Sequence, residues 1–203
     1  VERPSNLVAE LRSIVEPLTL KELFSSPQPL EVELGCGDAS FLVEWAQLHP
    51  ERNFIGVERL LGRISKLDRK GRRAGLKNLR GVRIESSYFL QYLLPPHSAS
   101  AIHIYFPDPW PKKRHHKNRL ISPGFPAMAA AALAPGGIVF LRTDDEPYFL
   151  QMTEVFDAAK QFNKIETPAD LSSVLTDFEK DFRAKGIQTR RAAYQLVTGT
   201  RPN

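Results

Sequence analysis

The chain has 203 residues, 42% hydrophobic and 25% charged, enough apolar material for a domain with a real core and too much for a disordered chain. Its single cysteine, Cys36, excludes an internal disulfide and fits a reducing compartment, and no apolar run reaches the length of a membrane span. The first residues, VERPSNLVAELRS, lack the apolar core of a signal peptide. A net charge of +5 favours an anionic partner, with nucleic acid the usual candidate. These features predict a cytoplasmic protein without a membrane partner.

Residues 1–29 read as an N-terminal extension with a helix, and 30–203 as the core of one domain. In chain order, LEVEL (30–34) is a short strand and 38–48 a helix, with Phe41, Leu42 and Trp45 at helical spacing. NFIGVE (53–58) is a second strand, 59–74 a helix, VRIES (82–86) a third strand, and a short helix follows through Leu94. AIHIYF (101–106) is a fourth strand. An Ala-rich core helix over 123–134 stops at Pro135-Gly136-Gly137, and IVFLRT (138–143) is a fifth strand. A helix over 146–161, a strand near 164–167, a helix over 177–184 and a last strand, RAAYQLVTG (191–199), complete the pattern. Strands alternating with helices predict an α/β fold: a mostly parallel twisted sheet with helices on both faces. Ligands bind in such sheets outside the carboxyl ends of the strands, and motifs follow Leu34, Phe106 and Leu141.

EVELGCGDASF places Gly35 and Gly37 between a strand and a helix, where glycine lets backbone approach a ligand. Glu58 ends the next strand, at the spacing from which an acid accepts both ribose hydroxyls. Position 40 is Ser, not the Gly or Ala of a dinucleotide fingerprint. Glu33 sets a carboxylate at the mouth of the turn, which repels a pyrophosphate and attracts a cationic ligand bearing an amino acid. E-x-G-x-G therefore favours S-adenosylmethionine over NAD. Glu85-Ser86, ending the third strand, would meet the adenine. The plainer reading is a tight turn with solvated acids.

Arg59, Arg63, Lys66, Lys70, Arg73 and Lys77 form one stripe of the second helix region, and Leu60, Ile64, Leu67, Gly71 and Ala74 another. The helix is amphipathic, and its cationic stripe is either a solvated face or a phosphate track. FPDPWPKKRHHKNRL (106–120) cannot be a helix interior or a central strand, because Pro107, Pro109 and Pro111 lack donors and fix φ. It reads as a loop that stiffens Asp108, sets Trp110 as a wall or stacking surface, and ends in a flexible apron of Lys112, Lys113, Arg114, His115, His116, Lys117 and Arg119. Thr143-Asp144-Asp145 fits a helix N-cap, and Thr176-x-x-Glu179 a capping box. His49, His97 and His103 are scattered, so no metal site is expected.

FPDPWPKKRHHKNRL, together with ELGCG, GVE, LRTDDEPYF and LTDFE (175–179), strongly resembles the single-chain bacterial tRNA (guanine-N7-)-methyltransferase family, over about residues 30–197. The resemblance implies a Rossmann-like class I methyltransferase fold, S-adenosylmethionine as donor with S-adenosylhomocysteine as product, no metal, and N7 of guanine 46 in the tRNA variable region as acceptor. It implies that Glu33, Gly35, Gly37, Glu58, Arg59, Glu85, Ser86 and Asp108 bind the cofactor. Asp108 is the implied catalytic residue. Lys112, Arg114, His115, Asp144, Thr176, Asp177, Phe178 and Glu179 are the implied tRNA contacts. The family usually has Asp where Glu85 stands, often a cation at Asn118 and often a small residue at Arg142. A monomer or homodimer is expected. The competing readings are methylation of another RNA base, an NAD-dependent oxidoreductase and an inactive tRNA-binding module.

Overall fold

The computed structural model describes residues 6–198. The start of the expected N-terminal extension (1–5) and Gly199 of the expected last strand lie outside them. The chain forms two compact units, residues 1–95 and 96–203.

The first unit carries three parallel strands, β1 (Leu30–Leu34), β2 (Asn53–Val57) and β3 (Leu79–Val82). β2 pairs with both neighbours, with Glu33 opposite Gly56 and Val57 opposite Val82. All residues of β1 and β2 are buried, the pattern of strands covered on both faces. Helices α2 (Ser40–Leu48) and α3 (Leu61–Arg73) follow the first two strands. They meet over Gly56, where an added Cβ would stand 2.6 Å from Leu67 Cδ1 and 2.9 Å from Leu42 Cδ2. α3 buries Ile64, Leu67 and Gly71, as its apolar stripe predicts, but leaves Leu60 46% exposed. Its cations are partly engaged within the unit. Lys70 Nζ lies 2.6 Å from Asp38, Arg63 lies 3.9 Å from Glu58, and Arg72 lies 3.3 Å from Asp68.

Upstream of β1 lies the four-residue helix α1 (Leu20–Leu23). Val8 forms a parallel bridge to Gly81 at the edge of β3, and Leu7 packs over Gly71. The third strand differs from the expected 82–86. β3 spans Leu79–Val82, and Gly81 within it admits Ile64 and Leu67 of α3 close to the strand. The chain then turns, and Glu85 caps the short helix α4 (Ser86–Tyr88), which continues as a π-helical turn, Phe89–Leu93.

The second unit pairs β4 (Ala99–Tyr105) in parallel with β5 (Leu133–Thr143). β5 pairs antiparallel with β7 (Arg190–Leu196), and β7 antiparallel with β6 (Phe162–Ile165). Helix α5 (Phe125–Ala132) precedes β5, and α6 (Glu146–Asp157) follows it. Phe156 of α6 anchors the helix, stacking on Tyr194 at 4.8 Å and meeting Phe125 and Phe162 edge-on. Two small helices, α7 (Ala169–Ser173) and α8 (Asp177–Ala184), connect β6 to β7. Among the described residues no helix is long and apolar enough to cross a membrane.

Pro135-Gly136-Gly137 was expected to precede the fifth strand but lies inside it. The pairing of β4 and β5 shifts register there, from Ala99↔Leu133 to Ala101↔Ile138, so the extra residues bulge out. Gly137 makes this possible. A Cβ on it would stand 2.9 Å from the Ala134 carbonyl oxygen and 3.1 Å from that of Ala99, and backbone yields less readily than a side-chain tip. Gly137→Ala is expected to cost about 1–3 kcal/mol through overpacking, read as a lower urea midpoint with an unchanged slope.

Candidate active site

In the first unit, the turn after β1 is shaped by left-handed backbone. Gly35 has φ 77°, Gly37 φ 55° and Ala39 φ 58°, a region glycine enters without strain. The amides of Gly35 and Cys36 both donate to the Val57 carbonyl at 2.9 Å, tying the turn to the end of β2. A Cβ on Gly35 or Gly37 would meet nothing within 4 Å, so the space above the turn is open. The left-handed residues also explain why α2 starts at Ser40 rather than at the expected position 38.

Three acids stand at or just beyond the carboxyl ends of the three strands. Glu33 is 3% exposed on β1. Glu58 follows β2, and its Oε1 accepts from the Leu60 amide at 2.9 Å, which turns the chain into α3. Glu85 is exposed, three residues past the end of β3, and its two oxygens accept from Ser87 N at 3.0 Å and Tyr88 N at 2.8 Å. Glu85, the residue expected to meet the adenine, is therefore a helix cap rather than a strand end. Ser86 opens α4, and Arg59 is exposed beside Glu58.

The field of these acids is visible at Cys36. Burial pushes its thiol well above the usual range, and the carboxylates of Glu33 and Glu58 push it further. A negative field over an open glycine turn suits a sulfonium carrying an ammonium group and is hostile to a pyrophosphate. Buried acids beside an open glycine turn fit S-adenosylmethionine.

In the second unit, the loop after β4 begins at Phe106 with φ 51°, and Trp110 has φ 44°. Asp108 is exposed, and its Oδ1 accepts from the Trp110 amide at 3.1 Å, a turn that aspartate readily forms. Phe106 packs against both Phe178 and Phe182 of α8, at 6.1 and 5.6 Å. The expected flexible apron is a 3-10 segment, Lys113–Asn118. Lys112, Lys113, Arg114 and Lys117 are exposed and His115 half-buried, its Nε2 taking the Arg114 Nε–H at 3.2 Å. Arg119, grouped with those cations on sequence, is only 6% exposed and points inward.

After β5, Asp145 caps α6 by accepting from Tyr148 N at 2.8 Å, and Thr143 Oγ1 accepts from Asp145 N. The cap thus leaves the half-buried Asp144 carboxylate without a hydrogen-bond partner among the described residues. Thr176 and Glu179 form the capping box of α8 and are buried, while Asp177 is exposed and Phe178 53% exposed.

Sequence reasoning missed what holds that box. Glu179 Oε2 takes Arg142 Nη1 at 2.8 Å, and its Oε1 takes Arg191 Nη2 at 2.5 Å. Arg142 also donates to the carbonyls of Leu171 and Val174 and lies 4.2 Å over the Tyr105 ring. The signal was present: a cation inside the apolar strand IVFLRT has to find an acid. No cluster of His, Cys, Asp and Glu able to hold a metal ion occurs among the described residues.

The family described as "Putative methyltransferase" matches residues 27–192. The tRNA (guanine-N(7)-)-methyltransferase of Halorhodospira halophila is 35% identical over 188 residues, covering 90% of this chain and 81% of that protein. That of Chromohalobacter salexigens is 38% identical over 186 residues, covering 88% and 74%.

The chain belongs to the tRNA (guanine-N7-)-methyltransferase family.

Solved structures share its fold at low identity. The 16S rRNA methyltransferase KamB superposes with a TM-score of 0.62 at 14% identity, over 88% of this chain and 92% of that one. A 16S rRNA (adenine(1408)-N(1))-methyltransferase from Catenulisporales acidiphilia gives 0.58 at 18%, over 87% and 91%. The expected α/β, Rossmann-like class I methyltransferase fold is therefore the observed one.

Proposed function

We propose that the protein transfers the methyl group of S-adenosylmethionine to N7 of a guanine in tRNA, guanine 46 of the variable region, and releases S-adenosylhomocysteine. The observation that carries this reading is family membership along nine-tenths of the chain, with the family's loop intact around Asp108. In this reading residues 30–203 serve as one catalytic core, acting in the cytoplasm as a monomer or homodimer.

The donor supplies an electrophilic methyl group: an N7–C bond forms as the S–C bond breaks, and positive charge passes from sulfur to the purine. Guanine N7 carries a free lone pair at neutral pH, so no proton has to leave first. What the protein must supply is alignment and charge compensation. Glu33 and Glu58 hold the donor's cationic and ribose ends, and Glu85 and Ser86 its base. Asp108 accepts from the guanine N1–H or exocyclic amine, or lies close to the charge that develops on the purine. Lys112, Arg114 and His115 meet phosphates, while Asp144 and the exposed residues of the 176–179 turn contact the nucleotide.

The test is nucleoside mass spectrometry of unmodified tRNA after incubation with the protein and methyl donor. One new 7-methylguanosine at position 46 is expected. A methyl group on another base, or none, overturns the reading.

A further inference from the structure

Loop 106–120 contains an internal contradiction that one residue resolves. Phe106 and Trp110 both hold left-handed backbone, at φ 51° and 44°, where non-glycine residues are strained. Such conformations persist only where the surroundings over-determine them. Part of the restraint is visible at the start of the loop, where Phe106 N donates to the Arg142 carbonyl at 2.8 Å and the ring sits against α8. The middle of the loop, where Asp108 stands, has exposed cations after it and needs another anchor.

That anchor is Arg119. Its Nε donates to the Pro109 carbonyl at 2.7 Å, the peptide between Asp108 and Trp110. Its Nη1 donates to Gln151 Oε1 on α6, and its guanidinium lies 4.6 Å over the Tyr148 ring. Tyr148 and Gln151 are themselves fixed. The Tyr148 hydroxyl takes the Ile121 amide at 3.0 Å, and Gln151 Nε2 donates to the Ile121 carbonyl at 3.1 Å. The guanidinium therefore joins α6 to the loop at Pro109, one residue beyond Asp108, while Tyr148 and Gln151 hold Ile121, one residue past the loop's end. Charges at both ends of the arrangement are felt at Tyr148, whose hydroxyl is pushed up to about 12 mainly by burial, with Asp108 raising and Arg119 lowering it.

We propose that Arg119 is a positioning residue that fixes the Pro109 peptide and so the direction of the Asp108 carboxylate, facing inward as a clamp and not outward as a phosphate ligand. At 6% exposure, with Nε and Nη1 engaged inside the unit, it offers a phosphate little beyond Nη2, and turning the whole guanidinium outward conflicts with these contacts. Lys112 and Arg114, being exposed, have no such conflict. The consequence for turnover rests on the reading that Asp108 serves guanine methylation.

The two roles separate by salt. A phosphate ligand adds to affinity and to the slope of log K against log salt, and its loss lowers that slope by about one. A clamp contributes to neither. Arg119→Ala is expected to lower kcat by about ten- to a hundred-fold, the scale of a small misplacement of a catalytic group, with tRNA affinity and salt slope unchanged. Arg119→Lys is expected to recover part of the loss. Lys112→Ala is expected to weaken tRNA binding and flatten the slope. If Arg119→Ala behaves like Lys112→Ala, or keeps full kcat, the clamp is overturned.

A readout on the free protein keeps this independent of the reaction. With 5-fluorotryptophan incorporated, Arg119→Ala is expected to shift or broaden the Trp110 fluorine signal and leave Trp45, in the other unit, in place. Gln151→Ala, which removes one contact and keeps the ring stack, is expected to do the same more weakly and guards against a variant that fails to fold. An unmoved Trp110 signal overturns the clamp. Failure of the wild type to make 7-methylguanosine overturns the functional reading instead, and leaves the fluorine test standing.

Discussion

Asp108→Asn is expected to lower kcat by about a hundred- to a thousand-fold, the usual scale for removing one preorganised electrostatic group, with donor binding retained. The reasoning starts from the turn. Asp108 Oδ1 is occupied by the Trp110 amide, and an asparagine carbonyl accepts that bond equally well, so the loop keeps its shape. What changes is the other end of the side chain. Oδ2 has no partner among the described residues; in the variant it becomes an amide nitrogen that donates. A donor facing the guanine N1–H or exocyclic amine is repelled, and the negative charge that would offset the methylated, cationic purine is gone. The loss therefore belongs in kcat. Asp108→Ala, which also removes the turn, is expected to be worse than Asp108→Asn. Because N7 needs no deprotonation, wild-type turnover is expected to show no solvent deuterium isotope effect on the chemical step. Full turnover by Asp108→Asn would sink both roles proposed for the carboxylate. A large isotope effect would instead point to proton transfer in the chemical step and to a general base.

The parts of the site legible in the sequence were those with a local signature. Gly35 and Gly37 were readable because a positive φ leaves few choices of residue, and Glu58 because its distance from them is set by one strand–helix–strand unit. The capping box of Thr176 and Glu179 was readable because both partners lie within one turn. What was not legible depended on distant partners. Nothing local says that β3 ends at Val82, that Gly81 admits two α3 side chains, or that Gly137 allows a strand to pass through Pro-Gly-Gly. Arg119 and Lys112 look alike as letters in a basic run. Only Tyr148 and Gln151, about thirty residues on, turn one of them inward. The stripe on α3 was ambiguous for the same reason, since Asp38 and Glu58 decide that Lys70 and Arg63 are among its engaged cations.

Arg142→Ala is expected to cost about 3–5 kcal/mol, the range for removing one partner of a buried ion pair, and to lower the urea midpoint accordingly. Against a typical domain stability of about 5–15 kcal/mol, that is a large fraction. Arg142 is 1% exposed and Glu179 0% exposed, so neither can turn to water. Truncation leaves the Leu171 and Val174 carbonyls without their donor and Glu179 with Arg191 and the Thr176 amide alone. Arg142→Met combined with Glu179→Met separates energetics from geometry. Replacing both charges by apolar chains of similar length removes the unpaired buried charge, so part of the stability is expected to return; the Leu171 and Val174 carbonyls and the Arg191 guanidinium still lack their partner, and half of the capping box is lost. The turn that displays Asp177 and Phe178 would then be held by packing instead of by directional bonds from β5 and β7. In that double variant the urea midpoint is expected to recover in part while kcat/KM for tRNA stays low, because a nucleotide contact depends on where the turn points and not only on whether the chain is folded. Recovery of both would assign the Arg142–Glu179 pair to stability alone. An unchanged midpoint in Arg142→Ala would mean that the two arginines substitute for one another, which the separate oxygens they engage on Glu179 argue against.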